Sequence, residues 1–395
     1  MGQNDDDVRL AKGEISSPLD GTVQTNKPTM HSADGEPAKP PPLRSVLELA
    51  KLSFETMQAR KSGAEKPIAL PASWHQYRQI MGGGMWPGLH VLVAGTGAGK
   101  TTFATQIALE AASNGHPTAY VGLELDETQV GLRMLGAQAK VQWSKLYLGQ
   151  YDEKDLKDTL NAIAVIESGK WPLFADFGAT TGWPASRIAT IAQELKTKSD
   201  KSPLIILDFL QLVGSEQGEK LDLRERIGRA AYLCRQVARE HKAAVLVVSS
   251  SGRNNYGLLS GDNEKSGPGF KVANEKDEEG NDWLIGRMKN PDSLVGVGKE
   301  SGEIEYAADS VTVLVKDQDF KGEGQAEGQG FYVAVPKLRY GRPGYCSMSM
   351  EQCRFEECEP REPPAPTSGR AGPSGRDKEI PSISTVARLE RRGRK

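Results

Sequence analysis

The stretch AGTGAGKTT at residues 94–102 has the residue types and spacing of a phosphate cradle. Gly95, Gly97 and Gly99 carry no Cβ, so the backbone can wrap tightly and aim its N–H groups at phosphate oxygens, with Thr96, Ala98 and Thr102 completing the loop. Ala94 stands where the pattern has its leading glycine. Lys100 is spaced to reach the β/γ-phosphates and the Thr101 hydroxyl to ligate Mg²⁺, which makes a nucleoside triphosphate, ATP with Mg²⁺, the expected ligand. Two acids complete the chemistry. Asp208, after four apolar residues, is placed to hold the metal through water opposite Thr101. Glu124 is placed to polarise an attacking water as general base, though by itself it also fits a solvated acid at a strand end.

Such residues act only if the chain positions them. LHVLVA (89–94) reads as a buried strand and TTFATQIALEAA (101–112) as a helix with Phe103, Ile107, Ala108 and Ala111 on one face, so the order is strand, glycine loop, helix, and the helix dipole points at the phosphate. Further strands are predicted at TAYVGLEL (118–125), SPLIILDFLQLV (202–213), AAVLVVSSS (243–251), SVTVLVK (310–316) and GFYVAVPKLRYG (330–341), with a helix over 221–241. Apolar runs alternating with helices imply an α/β fold, a mainly parallel sheet covered by helices on both faces. Ligands bind at the carboxyl ends of such strands, where Gly95–Thr101, Glu124, Asp208 and Ser249 should converge.

The rest of the 395-residue chain, of net charge −2, sets the frame. Residues 1–42 and 359–395 hold too few large apolar groups to offset ordering entropy and are expected to be disordered. From 367 onward eight basic residues face three acidic ones, a solvating tail or an auxiliary nucleic-acid contact. Between 43 and 60, Val46, Leu49, Ala50, Phe54 and Met57 form one stripe of an amphipathic linker helix, taken to occupy 43–66, with the motor over 67–358. No apolar run of 18 residues and no charged-then-apolar leader occur, so a cytoplasmic chain without a membrane span is expected. The four cysteines lack metal-ligand spacing and read as ordinary thiols.

In this order, GGGMWPGLHVLVAGTGAGKTTFATQIA, YVGLELDETQVGLRML, LIILDFLQLV, RERIGRAAYLCRQVAREHKAAVLVVSSSGR, KESGEIEYAADSVTVLV and VPKLRYGRPG resemble the motor domain of the DnaB-type replicative helicases over about residues 67–357. The elements DFLQL (208–212) and ESGEIEYAAD (300–309) are specific to that likeness. It implies a RecA-like P-loop ATPase, a ring of identical subunits (a hexamer) and single-stranded DNA as partner. By the same resemblance Lys337 and Arg339, in KLR, act on a neighbouring subunit's ATP site, stabilising charge on the γ-phosphate; otherwise they belong to a basic hairpin facing solvent. The linker helix would pack on the adjacent subunit or fold back on its own motor.

Three departures from the family pattern stand out. Ser249, Ser250 and Ser251 replace Ser-Gln-Leu, and the missing Gln is the family's link between γ-phosphate and DNA loops. Only about 66 residues precede the motor, so the helical collar, and a loader or primase docking on it, is not expected. Residues 252–298 replace a shorter DNA-facing loop; their acidic tip repels phosphates unless Arg253, Lys265, Lys271, Arg287 and Lys289 turn inward, with Arg253 the leading DNA contact. A loop this long is expected to be functional or disordered, not packed. The reading is an ATP-driven helicase motor; the alternative is a regulatory or DNA-binding RecA-family ATPase that separates no strands.

Overall fold

The structure is a computed structural model that describes residues 43–178, 182–214, 221–251, 268–276, 282–297, 302–318, 320 and 329–361. Residues 1–42 and 362–395, Arg253 and Lys265 lie outside the described residues, whereas 359–361 of the expected tail are ordered, with Arg361 paired to Asp317 (2.7 Å). The chain divides into two units, Met1–Ala64 and Glu65–Lys395.

In the first, helix α1 spans Val46–Lys61. Its start is fixed by a capping box, in which the Ser45 side chain accepts from the Glu48 N–H and the Glu48 carboxylate accepts from the Ser45 N–H. Arg60 and Lys61 close it with charge that suits the helix dipole. Val46, Leu49, Phe54 and Met57 of the predicted stripe are all exposed.

In the second unit the order is α2 (His75–Ile80), β1 (Gly88–Ala94), α3 (Lys100–Ser113), β2 (Thr118–Gly122), α4 (Glu127–Ala139), α5 (Trp143–Tyr147), α6 (Glu153–Ser168), β3 (Leu173–Asp176), β4 (Trp183–Pro184) and α7 (Arg187–Lys196). It continues through β5 (Leu204–Asp208), β6 (Val213–Gly214), α8 (Leu223–Glu240), β7 (Ala244–Ser250), β8 (Phe270–Lys276), β9 (Asp282–Met288), α9 (Gly302–Ala307), β10 (Ser310–Asp317), β11 (Gln329–Leu338), β12 (Gly344–Glu351) and β13 (Arg354–Cys358). One sheet runs β3-β2-β5-β7-β1-β10-β11-β12-β9-β8, with β13 on β12. Its first six strands are mutually parallel and the rest pair antiparallel.

Every residue of β1 is buried, because both sheet faces are covered. Leu89, Val91 and Val93 point into the core shared with α7 and α8, while Leu92 and Ala94 point into the core shared with α3. All the carboxyl ends of the parallel strands therefore open at one edge of the sheet, which is where the glycine loop leaves β1.

Three predicted strands end earlier than expected, among them β11, which stops at Leu338 and not at 341. β2 ends at Gly122, not at 125, because the Leu123 N–H turns to the Asp208 carbonyl (2.7 Å) and Asp126 already caps α4 through the Gln129 N–H (2.8 Å). β5 ends at Asp208, and residues 210–212 wind into a 3₁₀ turn.

The expectation of an unpacked loop over 252–298 is corrected for its described part. β8 and β9 form a hairpin that joins β12 at Tyr345, and Phe270 stacks on Tyr332 with ring centroids 4.8 Å apart. Aromatic burial rewards this packing. Lys271 of β8 and Arg287 of β9, with Lys289 just after it, lie in or beside that hairpin, six and five strands from β7, or about 24–29 Å at ~4.8 Å per strand. The pairing of β9 with β12 therefore sets them apart from β7 within the chain.

Candidate nucleotide site

The glycine loop holds two left-handed residues, Gly97 (φ 70°) and Gly99 (φ 78°). At Gly99 there is no space either: a Cβ would sit 2.8 Å from the Met350 sulfur and 2.9 Å from the Phe355 ring, so the loop rests directly on the β12–β13 hairpin. Gly99 is also the residue before α3 and offers no side chain to the first-turn N–H groups, which stay available to an anion. Gly95 and Ala98 are buried beneath the loop, whereas Thr96 and Gly97 face outward and Lys100, Thr101 and Thr102 are half-buried. The Lys100 ammonium donates to the carbonyls of Gly95 (3.0 Å) and Ala94 (3.3 Å), which keeps it over the loop.

Asp208 meets this loop from β5. Its Oδ2 accepts from the Thr101 hydroxyl (2.8 Å) and from the Tyr120 phenol, while its buried Oδ1 has no hydrogen-bond partner among the described residues. Burial and then the Asp208 charge push the Tyr120 phenol well above its ordinary pKa, so it remains a proton donor to the carboxylate. An unpaired carboxylate oxygen is costly in such a place, and a hard cation coordinated by oxygen would satisfy it. The donor set of a carboxylate and a threonine hydroxyl therefore fits Mg²⁺.

Glu124 lies two residues past β2, on the exposed segment whose Leu123 N–H is bound to the Asp208 carbonyl. Ser249 and Ser250 pair with Val93 and Ala94, and the Ser251 N–H donates to the Ala94 carbonyl (3.2 Å), so the serine triplet ends against the start of the loop. The predicted convergence of loop, Asp208, Glu124 and Ser249 at one sheet edge is thus what the strand register gives.

Lys337 and Arg339 are elsewhere. They flank buried Leu338 and so share a side, but Leu338 pairs with Ser310, which pairs with His90 near the opposite end of β1. Arg339 is level with Leu89, six residues or about 20 Å at ~3.3 Å per residue from Gly95. There it pairs with Asp309 (3.2 Å) and donates to the Ala308 carbonyl (3.3 Å); the Lys337 ammonium donates to the Tyr306 carbonyl (3.1 Å). Neither serves the glycine loop of its own chain.

Several site residues were not singled out from sequence. Tyr120 is one polar group in an apolar strand, a signal that its hydroxyl needs a buried partner. Gln106 holds the backbone of Phe355 at both ends, accepting from its N–H (2.8 Å) and donating to its carbonyl (3.0 Å), and Trp74 donates to the same carbonyl (2.8 Å). Arg133 of α4 stacks on Trp143, 3.7 Å from the ring centre. None of these contacts has a local pattern.

A strand, glycine loop and helix facing a buried aspartate from the sheet's parallel block define a RecA-like P-loop nucleotide-binding fold. Residues 70–256 match the family model described as DnaB-like helicase C terminal domain. Curated relatives include the replicative DNA helicase DnaC of Bacillus subtilis (strain 168), 24% identical over 309 residues. Another is the replicative DNA helicase DnaB of Leifsonia xyli subsp. xyli (strain CTCB07), 22% identical over 301 residues. These alignments cover 78% and 75% of this chain but 59% and 57% of the relatives, so the chain spans under two thirds of their length. Among solved structures, the ATPase domain of G40P superposes with a TM-score of 0.61 at 19% identity, covering 80% of this chain and 99% of that one. A DnaB-like replicative helicase, described with its interactions with primase, gives 0.61 at 18% identity, over 80% and 68%. These likenesses establish the fold. Among the described residues no helix is long and apolar enough to cross a membrane.

Proposed function

We propose that this chain is an ATP-driven DNA helicase motor that works in the cytoplasm as a ring of identical subunits, a hexamer, moving along single-stranded DNA during replication, with residues 67–358 as the motor. The observation that carries the reading is the buried Asp208 carboxylate, held 2.8 Å from the Thr101 hydroxyl at the mouth of the glycine loop with one oxygen unpartnered among the described residues. Loop N–H groups from Gly95 to Thr102 cradle the phosphates, and Lys100 leaves the loop carbonyls for the β/γ-oxygens. Thr101 and Asp208 hold Mg²⁺, which when bound neutralises charge on the phosphates. Glu124 polarises the attacking water.

Lys337 and Arg339 stabilise the transition state in trans. Their place at the opposite end of the sheet supports this, since acting on a phosphate at all requires another copy's loop. The exposed stripe of α1 is the natural bridge between subunits, and Arg253 is the first candidate for DNA contact. Strand displacement on a forked duplex tests the whole: ATP-dependent unwinding is expected, with single-strand affinity that falls steeply with salt. The second reading, a regulatory RecA-family ATPase without strand separation, is favoured by Ser250, whose short side chain lies beside Ala94. DNA-stimulated hydrolysis without unwinding would select it.

A further inference from the structure

Three buried side-chain oxygens without a hydrogen-bond partner among the described residues belong to the carboxyl ends of two adjacent strands: Asp208 Oδ1 and Gln211 Oε1 after β5, and Ser251 Oγ after β7. Buried polar atoms are nearly always paired, so such a concentration marks a place whose partners change. The metal accounts for Asp208. Gln211 has no part in the function proposed above.

Gln211 sits in the 3₁₀ turn at Leu210–Leu212, anchored by fully buried Leu210. Its Nε2 donates to the Ser249 hydroxyl (2.9 Å). Ser249 is itself completely buried and pairs with Val93, and two residues on, the Ser251 N–H holds the Ala94 carbonyl that opens the glycine loop. A short path therefore runs from the metal carboxylate, three residues along the chain, across one side-chain hydrogen bond and into the strand tied to the loop. The β5–β7 backbone ladder stops at Leu207–Val247, and beyond it, among the described residues, this side chain links the two strand ends.

We propose that Gln211 is a positioning residue that couples the metal side of the nucleotide site to its phosphate side, holding the ends of β5 and β7 in the register that lets one ligand set serve both. This rests on the nucleotide-site reading given above. An amide fixed at its nitrogen and free at its oxygen can follow a shift of Asp208 and carry Ser249 with it, whereas Ser250, the next residue of β7, is directed to the opposite face of the sheet.

The test is thermodynamic linkage, read as the affinity of a fluorescent non-hydrolysable ATP analogue with Mg²⁺ and with chelator, on the full chain. In the wild type Mg²⁺ tightens binding. In Gln211→Ala, metal-free affinity should stay within about threefold while the Mg²⁺ enhancement shrinks by roughly tenfold, within the usual range of coupling between sites. Ser249→Ala, which removes the other end of the bond, should do the same, and the double variant no more. Either single variant suffices if the other does not fold. An intact enhancement in the single variants, or an equal loss of affinity with and without metal, overturns the proposal. A wild type that binds no analogue under either condition overturns the nucleotide-site reading beneath it.

Discussion

The parallel and antiparallel halves of the sheet do different work. In the parallel block, β3-β2-β5-β7-β1-β10, each return crosses over the sheet face, so every carboxyl end opens at one edge and the loop, Asp208, Glu124 and Ser249 are gathered by topology. In the antiparallel block successive ends alternate, and nothing gathers. Instead the β12–β13 turn region backs Gly99 through Met350 and Phe355, while the end of β11 carries Lys337 and Arg339 to the far edge. One half gathers the candidate site; the other braces it and, on the function proposed above, would carry the residues that act on a different copy.

The sharpest way to break this division is to remove the chemistry from the parallel half. Lys100→Ala and Asp208→Ala should each lower ATP turnover by on the order of 10³-fold or more while circular dichroism and thermal unfolding show a folded chain. Glu124→Gln should bind ATP normally and hydrolyse it roughly 10²-fold more slowly. Turnover near the wild type in the Lys100 or Asp208 variants would remove the site from this edge of the sheet, and equal loss of binding in Glu124→Gln would make that residue structural.

The complementary test strikes the far edge. Arg339→Ala should keep nucleotide affinity and lose about 10³-fold in turnover, the effect of removing an arginine finger. Mixed with Lys100→Ala subunits it should regain part of the lost turnover, because each variant supplies what the other lacks. If a strictly monomeric wild type hydrolyses ATP at the same specific rate as the assembled protein, the far edge serves no second copy.

A smaller effect belongs to the brace. Phe355 is fully buried against Phe103 and Phe331, with ring centroids 5.3 and 5.2 Å away, so Phe355→Ala should cost about 3–5 kcal/mol in denaturant unfolding. Since the same ring supports Gly99, nucleotide affinity should fall as well. Loss of stability with unchanged affinity would reduce the hairpin to packing.

How legible the two halves are in sequence follows from this division of labour. The parallel half announces itself because buried strands are continuous apolar runs and the glycine loop is contiguous: β1, β7 and β10 lie within a residue or so of their predicted bounds, and Lys100, Thr101 and Asp208 come together. The bounds of β2 and β5 were overrun because Leu123 and Leu210 are apolar residues of turns, which no period separates from strand. In the antiparallel half the decisive contacts span hundreds of residues, as Gln106 to Phe355 and Trp74 to Phe355 do, and the β8–β9 hairpin has polar, charged strands that read as loop. Tertiary pairing selected those strands, not local propensity.

The smallest effect probes β1 where it meets β10, the strand that joins the two halves. Buried His90 at this seam is bonded at Nδ1 to the Ser310 hydroxyl (2.7 Å) and at Nε2 to the Trp86 carbonyl (2.7 Å). A carbonyl only accepts, so Nε2 carries the proton; burial favours the neutral ring, in which Nδ1 accepts from Ser310. Burial lowers its pKa, outweighing the Trp86 bond and the Asp309 charge that raise it, and burial likewise lowers His116 and His241. In the unfolded chain these rings take up protons near the ordinary value of about 6.5, while the folded ones do so only at lower pH. Between those values the unfolded state binds more protons, so stability is full above the unfolded value and declines as pH falls through the window. Thermal unfolding from pH 7.5 down to 5.5 should show a falling midpoint, and His90→Gln, which keeps a donor and an acceptor but does not titrate, should flatten it. A midpoint that holds or rises on acidification contradicts the neutral ring, and an unchanged slope in His90→Gln transfers the effect to His116 and His241, away from the seam.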